Sequence, residues 1–407
     1  LPGTSVESAQ AYGENRDLQY ERLGAYLAAH SHILLALWDG KYTGAIGGTG
    51  QVVDFHQRDV SALAAEQMRS QLDIADDESD LVYHIVCSRA SEGHPDASLV
   101  AGSASWFTRD VVRPRVDKLP LRYVDVFEKI QAFNRDVSAL PDSQTRETLY
   151  PQGVAGSTEK SCDAIQSIFS LSDALASHYQ KRVFWALRAT LISTVLAGLC
   201  FIVYADISDQ GDFIWGYFLF VGIALGSYWL ADKQDWQRRY LDYRVLAEAL
   251  RVQYYWTIGG VGMPNPSRYS HDSFFQGRDL QLGWIRNVMR VTGLHADTEL
   301  EPSAAEIAAT IEGWVGDENT GQLGYYRSKA GDKLRKHKET GRVSAAAFLF
   351  SLLAAGVLAS VGSDLSGEVS NWLVAIMGLL PIVAASRQNY AHRVAERELA
   401  AQYAHML

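Results

Sequence analysis

The sequence predicts a two-part chain, an α/β domain over residues 1–115 joined by a helical linker (116–182) to an all-α membrane domain (183–407). Three observations predict it. An apolar run, ILLALW at 33–38, ends in Asp39-Gly40 and is followed by Gly47-Gly48-Thr49-Gly50. Four stretches, 189–205, 213–231, 343–362 and 371–386, contain no Asp, Glu, Lys or Arg. Lysine and arginine flank these stretches on alternating sides.

A run as short and apolar as 33–38 reads as a fully buried parallel strand. Asp-Gly closes it with a turn. The glycines at 47–50 then open a helix over 51–58. Open parallel sheets bind ligands beyond the carboxyl ends of their strands, and a helix N-terminus behind a glycine turn favours an anion. The same pattern also fits a structural strand-turn-helix with no ligand. Residues 81–87 read as the next parallel strand.

Upstream, residues 16–30 read as a helix with Leu18, Leu23, Tyr26 and Leu27 on its buried side. Arg16 and Tyr20 face a ligand, or are a solvated cation and a packing ring. Trp38 is placed to stack on a base or to cap the sheet edge. Asp39 can accept from a ribose hydroxyl or begin the turn. The chain starts at Leu1, with too little sequence before the strand for the βα unit that normally precedes it. The expectation is the later part of a longer protein, its sheet N-terminally incomplete.

The net charge is −10, with no basic excess of the kind nucleic acid requires. Cys87, Cys162 and Cys200 are too scattered for a metal site and read as reduced thiols. No metal and no cofactor are expected.

A spanning helix needs roughly 20 apolar residues. Spans are predicted at about 185–205, 213–231, 343–362 and 371–386, the last interrupted by Pro381. Lys181, Arg182 and Arg188 precede the first, and Lys233, Arg238 and Arg239 follow the second. Lys333, Arg335, Lys336, Lys338 and Arg342 precede the third, and Arg387, Arg393 and Arg397 follow the fourth. The two intervening loops carry acids and no Lys or Arg. This alternation is the positive-inside pattern of two helical hairpins, with both visible ends and the helical segment 232–342 cytoplasmic. Four core helices of a soluble protein are the other reading.

Small residues at four-residue steps, Gly222 and Gly226, and Ser351, Ala355, Ala359 and Ser363, mark close helix packing within one bundle or between subunits. The aromatic stripe Trp236, Tyr240, Tyr243, Ala247, Leu250 and Tyr254 reads as a packed helix face. Ser303-Ala304-Ala305-Glu306 reads as a capping box.

The block running from Arg16 through Tyr20 and Gly24, then LLALWDG at 34–40 and GGTG at 47–50, resembles the second half of a SLOG domain. That is a Rossmann-like nucleotide-sensing family. Its relatives include the ligand domain of melastatin-type TRP channels and the sensor domain of some bacterial anti-phage effectors. The resemblance covers roughly residues 1–90. It implies an α/β Rossmann-like sensor that binds an ADP-ribose-derived or cyclic nucleotide signal through Arg16, Tyr20, Trp38, Asp39, Gly40, Lys41, Gly47, Gly48, Thr49 and Gly50.

A related branch, the phosphoribohydrolases, carries a motif resembling GGxGTxxE. On this chain Gln51 falls at the threonine and Asp54 at the glutamate of that motif, two departures that favour binding over catalysis. No catalytic residue is therefore assigned.

Residues 243–253 followed by Trp284-Ile285-Arg286 resemble membrane effector modules that accompany SLOG and nucleotidyltransferase domains in bacterial conflict systems. The resemblances imply an inner-membrane effector of anti-phage defence. Its expected partners are the nucleotide second messenger, the lipid bilayer, further copies of itself and a signal-producing enzyme encoded elsewhere, with no nucleic acid.

Overall fold

The apolar run forms strand β1 (Ile33–Trp38), which pairs in parallel with β2 (Leu81–Val86), Ile33 opposite Leu81 and Trp38 opposite Val86. Strand β3 (Ala104–Phe107) lies antiparallel on the far side of β2, giving the order β1-β2-β3. The structure, a computed structural model, describes residues 13–31, 33–58, 81–88, 94–108, 115–141, 147–149, 162–208, 211–259, 283–293, 303–362 and 365–405. The parallel pair is the one the sequence predicts. Among the described residues the sheet has three strands, and a Rossmann-like sheet is not seen.

Two helices, α1 (Glu14–His30) and α2 (Thr49–Arg58), pack on each other, and α2 also packs on the sheet. Ala36, Trp38, Val53 and Val82 form the core, with Leu34 and Phe107 against it. Two expectations are corrected. The first strand is buried on one face only, because Leu35 and Leu37 are exposed. Likewise α1 does not bury its apolar stripe: Leu23, Tyr26 and Leu27 are exposed, while Glu21, Gly24 and Ala28 are buried. The reason is close approach. A Cβ on Gly24 would stand 2.5 Å from Val52 Cγ2, so the small-residue side of α1 is the side that meets α2.

By contacts the chain divides into two compact units. The first takes in Leu1–Leu149, Val154–Ser172 and Val245–Glu306, and the second Tyr150–Gly153, Asp173–Arg244 and Ile307–Leu407. Besides the sheet, the first unit holds α3 (Leu121–Ser138), whose Phe133 ring lies 5.9 Å from that of Trp284. The helix α4 (Asp163–Ile202) begins here and continues into a π-helical turn, Val203–Ile207. The helix α5 is Asp212–Lys233, and α6 is Trp236–Ile258. In α6, Trp236, Tyr243, Ala247, Leu250 and Tyr254 are buried, as a packed face requires. Gln253 Nε2 donates to Met289 O (2.9 Å) on α7 (Gly283–Gly293). The capping box forms at the start of α8 (Ala304–Trp314): Ser303 N donates to Glu306 Oε2 at 2.9 Å, and Glu306 N to Ser303 Oγ at 3.2 Å.

The second unit also holds α9 (Gly321–Val361), α10 (Gly367–Arg393) and α11 (Glu396–His405). Among the described residues four helical segments are long and apolar enough to cross a membrane: Asp163–Ile207, Asp212–Lys233, Gly321–Val361 and Gly367–His405. Their apolar side chains point outward; Leu349, Phe350, Leu352 and Leu353 are all exposed. In water that would be a large apolar patch, whereas lipid solvates it. Exposed Trp185, Tyr228 and Trp229 sit near the basic ends, and Tyr204, Trp215 and Trp372 near the acidic turns. From Trp185 to Tyr204 a helix rises about 28 Å at 1.5 Å per residue, close to the thickness of a hydrocarbon core. This spacing matches that of the aromatic belts of spanning helices.

Pro381 does not interrupt α10. Proline lacks the N–H that would bond the carbonyl four residues back, here that of Met377. Ser351 Oγ, on the neighbouring α9, donates to that carbonyl at 2.9 Å. A serine on one membrane helix thus satisfies the acceptor a proline frees on the next.

The small-residue rows divide. Ser351 packs as expected, Ala355 is half-buried, Ala359 is exposed, and Ser363 lies outside the described residues. Among the described residues, a Cβ on Gly222 or Gly226 would meet nothing within 4 Å. The glycines at close contacts are others: a Cβ on Gly198 would stand 3.0 Å from Ile382, on Gly216 3.1 Å from Cys200, and on Gly378 3.2 Å from Ile202.

Candidate functional site

The loop after β1 and the start of α2 frame a half-open cavity of about 290 Å³, lined by Tyr42, Thr43, Gly44, Ala45, Gly48, Thr49, Gly50, Gln51 and Asp54. Of the ten residues the sequence singles out, Gly48, Thr49 and Gly50 line it. The helix begins at Thr49, two residues earlier than expected. Thr49, Gly50 and Gln51 are its first turn, where N–H groups have no partner four residues back.

The other residues build the frame. Gly47 has φ +72°, and a Cβ there would stand 2.6 Å from Tyr20 Cβ and 2.8 Å from Asp17 O. Its N–H donates to Gln51 Oε1 (2.6 Å), and Gln51 Nε2 donates to Glu21 Oε1 (2.9 Å). This glycine therefore serves the approach of α1, and its amide faces protein. The Gly48 N–H also turns inward, to Ala45 O at 3.2 Å. Gly40 has φ +84° and lies against Leu99 and Asp96.

Trp38 is 2% exposed, so it belongs to the core. Its Nε1 donates to Lys41 O (3.2 Å), and its ring meets the Tyr42 ring edge-on at 4.6 Å. Gly50 lets the loop close over it, since a Cβ there would stand 3.3 Å from Trp38 Cζ2. Asp39 is buried, and its Oδ1 accepts the Lys41 N–H at 3.0 Å, an Asx turn. Arg16 and Tyr20 stack on α1, the guanidinium carbon 5.5 Å from the ring centre, and neither lines the cavity.

Sequence reasoning missed a row of side chains beside this loop. His84 on β2 is fully buried, and its ring lies between Trp38 (5.4 Å) and Phe107 (6.0 Å). Its Nε2 sits 2.9 Å from Trp38 O, and its Nδ1 is hydrogen-bonded to Arg115 Nη1. Burial holds the His84 pKa below its ordinary 6.5, and the nearby Arg115 charge adds to that, against the Trp38 carbonyl and Asp39. Asp96 accepts from Ser98 N (3.0 Å) and Ser98 Oγ (2.8 Å), which hold its carboxyl below the usual range, with Lys41 and Arg115 adding to the effect. The signal in the sequence was faint: one histidine inside an apolar strand.

Among the described residues no cluster of His, Cys, Asp and Glu is arranged to hold a metal ion. Comparison with family models, with curated proteins and with solved structures finds no match to this chain.

Proposed function

We propose that this chain is a nucleotide-gated membrane effector, in which an ADP-ribose-derived or cyclic nucleotide signal binds at the glycine-loop cavity and shifts the membrane helices toward an open or membrane-disrupting state. One observation carries the reading. A cavity ringed by Gly48, Thr49 and Gly50 at the start of a ten-residue helix, after a parallel strand, occurs in a chain with four helices able to cross a membrane. The first supplies N–H groups and a helix dipole for a phosphate; the second supplies the output. The resemblance to SLOG sensors and their membrane modules points the same way, toward anti-phage defence at the bacterial inner membrane.

A ligand shifts such an equilibrium only by its differential affinity, so a hundredfold preference for one state supplies about 2.7 kcal/mol per subunit. Several subunits switching together would steepen the response.

The test is thermal shift of the detergent-solubilised chain with ADP-ribose, ADP and cyclic nucleotides, for the wild type and for Gly48→Glu, which adds a carboxylate at a residue that lines the cavity, its Cβ 3.1 Å from Ala45 O. Stabilisation by one nucleotide class, lost in Gly48→Glu, is the expected result. No shift with any nucleotide would remove the sensor half of the proposal.

A second reading has one observation in its favour, that Asp54 lines the same cavity. A membrane-anchored nucleotide hydrolase would use Asp54 as acid or base at the anomeric carbon. Release of base or ribose phosphate, abolished by Asp54→Asn, would establish it; binding without turnover would exclude it.

A further inference from the structure

Two other half-buried arginines in this chain sit beside carboxylates. Arg251 lies 3.5 Å from Glu147 and 3.0 Å from Glu248, and Arg244 lies 2.9 Å from Asp173. Arg115 is also half-buried, and among the described residues it forms no such ion pair. Its guanidinium lies over the Phe107 ring, 4.4 Å from the centre, and bonds to His84. An arginine taken partly out of water with no carboxylate at ion-pair distance keeps a demand for a closer anion.

Its placement is fixed from both ends. The next residue, Val116, exchanges two backbone hydrogen bonds with Trp106, at 2.8 and 2.9 Å. At the far end the tautomer of His84 is forced. A carbonyl oxygen only accepts, so the nitrogen facing Trp38 O must carry the proton. That leaves Nδ1 as an acceptor, and Arg115 donates to it. A buried, neutral histidine therefore sets the direction of the guanidinium while occupying one of its donors.

A chain of contacts leads from this charge to the cavity. Arg115 bonds His84, the His84 ring lies 5.4 Å from that of Trp38, and the Trp38 ring meets that of Tyr42, which lines the cavity, at 4.6 Å. Asp96 is an electrostatic neighbour of Arg115. The Asp96 carboxylate is bound by Ser98.

We propose that Arg115 recognises the phosphate of the ligand held in the glycine-loop cavity, and that His84 is the residue that positions it. This rests on reading that cavity as a nucleotide site. The class of ligand is narrowed to a phosphate ester or pyrophosphate, which can accept at once from the planar guanidinium and from the first turn of α2.

The experiment is a binding titration on the full-length chain in detergent, with ADP-ribose and ADP as probes and adenosine as the phosphate-free control. Arg115→Gln is expected to weaken both phosphate-bearing probes at least tenfold, leave adenosine unchanged, and melt within a few degrees of the wild type. Arg115→Lys should recover part of the loss. His84→Gln can donate to Trp38 O and accept from Arg115, so it should keep most of the affinity, whereas His84→Phe should not.

A further readout needs no variant. ADP-ribose carries no phosphate that titrates near pH 6, so its affinity for the wild type should fall on acidification below about pH 6.5 as His84 takes a proton and repels Arg115. The other charges near this pair are Asp39 beside His84, Asp96 beside Arg115, and Lys41 beside Asp96. His84→Gln should flatten the profile.

Affinity unchanged in Arg115→Gln, with binding lost in Gly48→Glu, would overturn the role of Arg115 and leave the cavity reading intact. Loss in Arg115→Gln with Gly48→Glu unaffected would keep Arg115 and move the site off the glycine loop. Absence of binding by the wild type to ADP-ribose, ADP and cyclic nucleotides alike would overturn both.

Discussion

The glycine loop of the first unit and the membrane helices of the second use glycine in opposite senses. In the loop, Gly47 looks like a ligand contact, yet its missing Cβ is filled by Tyr20 and the backbone of α1. In the membrane helices, Gly222 and Gly226 look like packing contacts, yet no described residue would meet a Cβ on either. Gly198, Gly216 and Gly378, which fall in no regular row, are the ones that let helices approach. A glycine's role is decided by what stands where its side chain would be. Local spacing records that only when the neighbouring element comes from the same stretch of sequence.

The sharpest way to break this comparison is Gly47→Ala. The residue combines φ +72° with contacts that a Cβ would violate, so destabilisation of about 2–4 kcal/mol is expected. Urea or thermal unfolding measured on the isolated full-length chain would read it. A loss under about 0.5 kcal/mol would show that the loop does not need this approach of α1.

Next come the membrane glycines. Gly198→Leu should cost about 1–3 kcal/mol through overpacking against Ile382. Gly222→Leu should leave the stability of a single chain within about 0.5 kcal/mol, since none of the described residues meets it. Equal losses would place Gly222 against a partner that a single chain lacks, and light scattering in detergent would then show a change of assembly.

The Ser351–Met377 bond gives a smaller effect with a sharper control. Ser351→Ala should cost about 1 kcal/mol by orphaning the Met377 carbonyl. Pro381→Ala restores the helix N–H that bonds the same carbonyl. In that background the serine substitution should cost less, and a double-mutant cycle with no coupling would refute the account.

The smallest effect is on pH. The folded pKa of His84 lies below its unfolded value, so the unfolded chain binds more protons between the two. The stabilisation is complete above about pH 6.5 and is lost as pH falls from there through the folded value. His84→Gln should make unfolding of this unit less sensitive to acid over that window.

Much of the architecture was legible in the sequence because it rests on local pattern. The apolar run and Asp39-Gly40 mark β1 and its turn, charge-free stretches and basic flanks mark the membrane helices, and Ser303 with Glu306 marks a cap. Three features were not legible, each for the same reason. The burial of Glu21, Gly24 and Ala28 in place of Leu23 and Leu27 depends on where Val52 lands. The tolerance of Pro381 depends on Ser351, thirty residues earlier on another helix. The Arg115–His84 pair joins residues 31 positions apart across a sheet edge. Long-range contacts of this kind leave no period in the chain.

The central claim couples a nucleotide to the membrane, and one measurement addresses it directly. The full-length protein is reconstituted into liposomes loaded with a self-quenched dye, and release is followed on adding ADP-ribose, ADP or a cyclic nucleotide. Release dependent on one nucleotide class, abolished by Gly48→Glu and strongly reduced by Arg115→Gln, is the result the account predicts. Release that is equal with and without nucleotide, or none from protein that demonstrably binds the nucleotide, would contradict it.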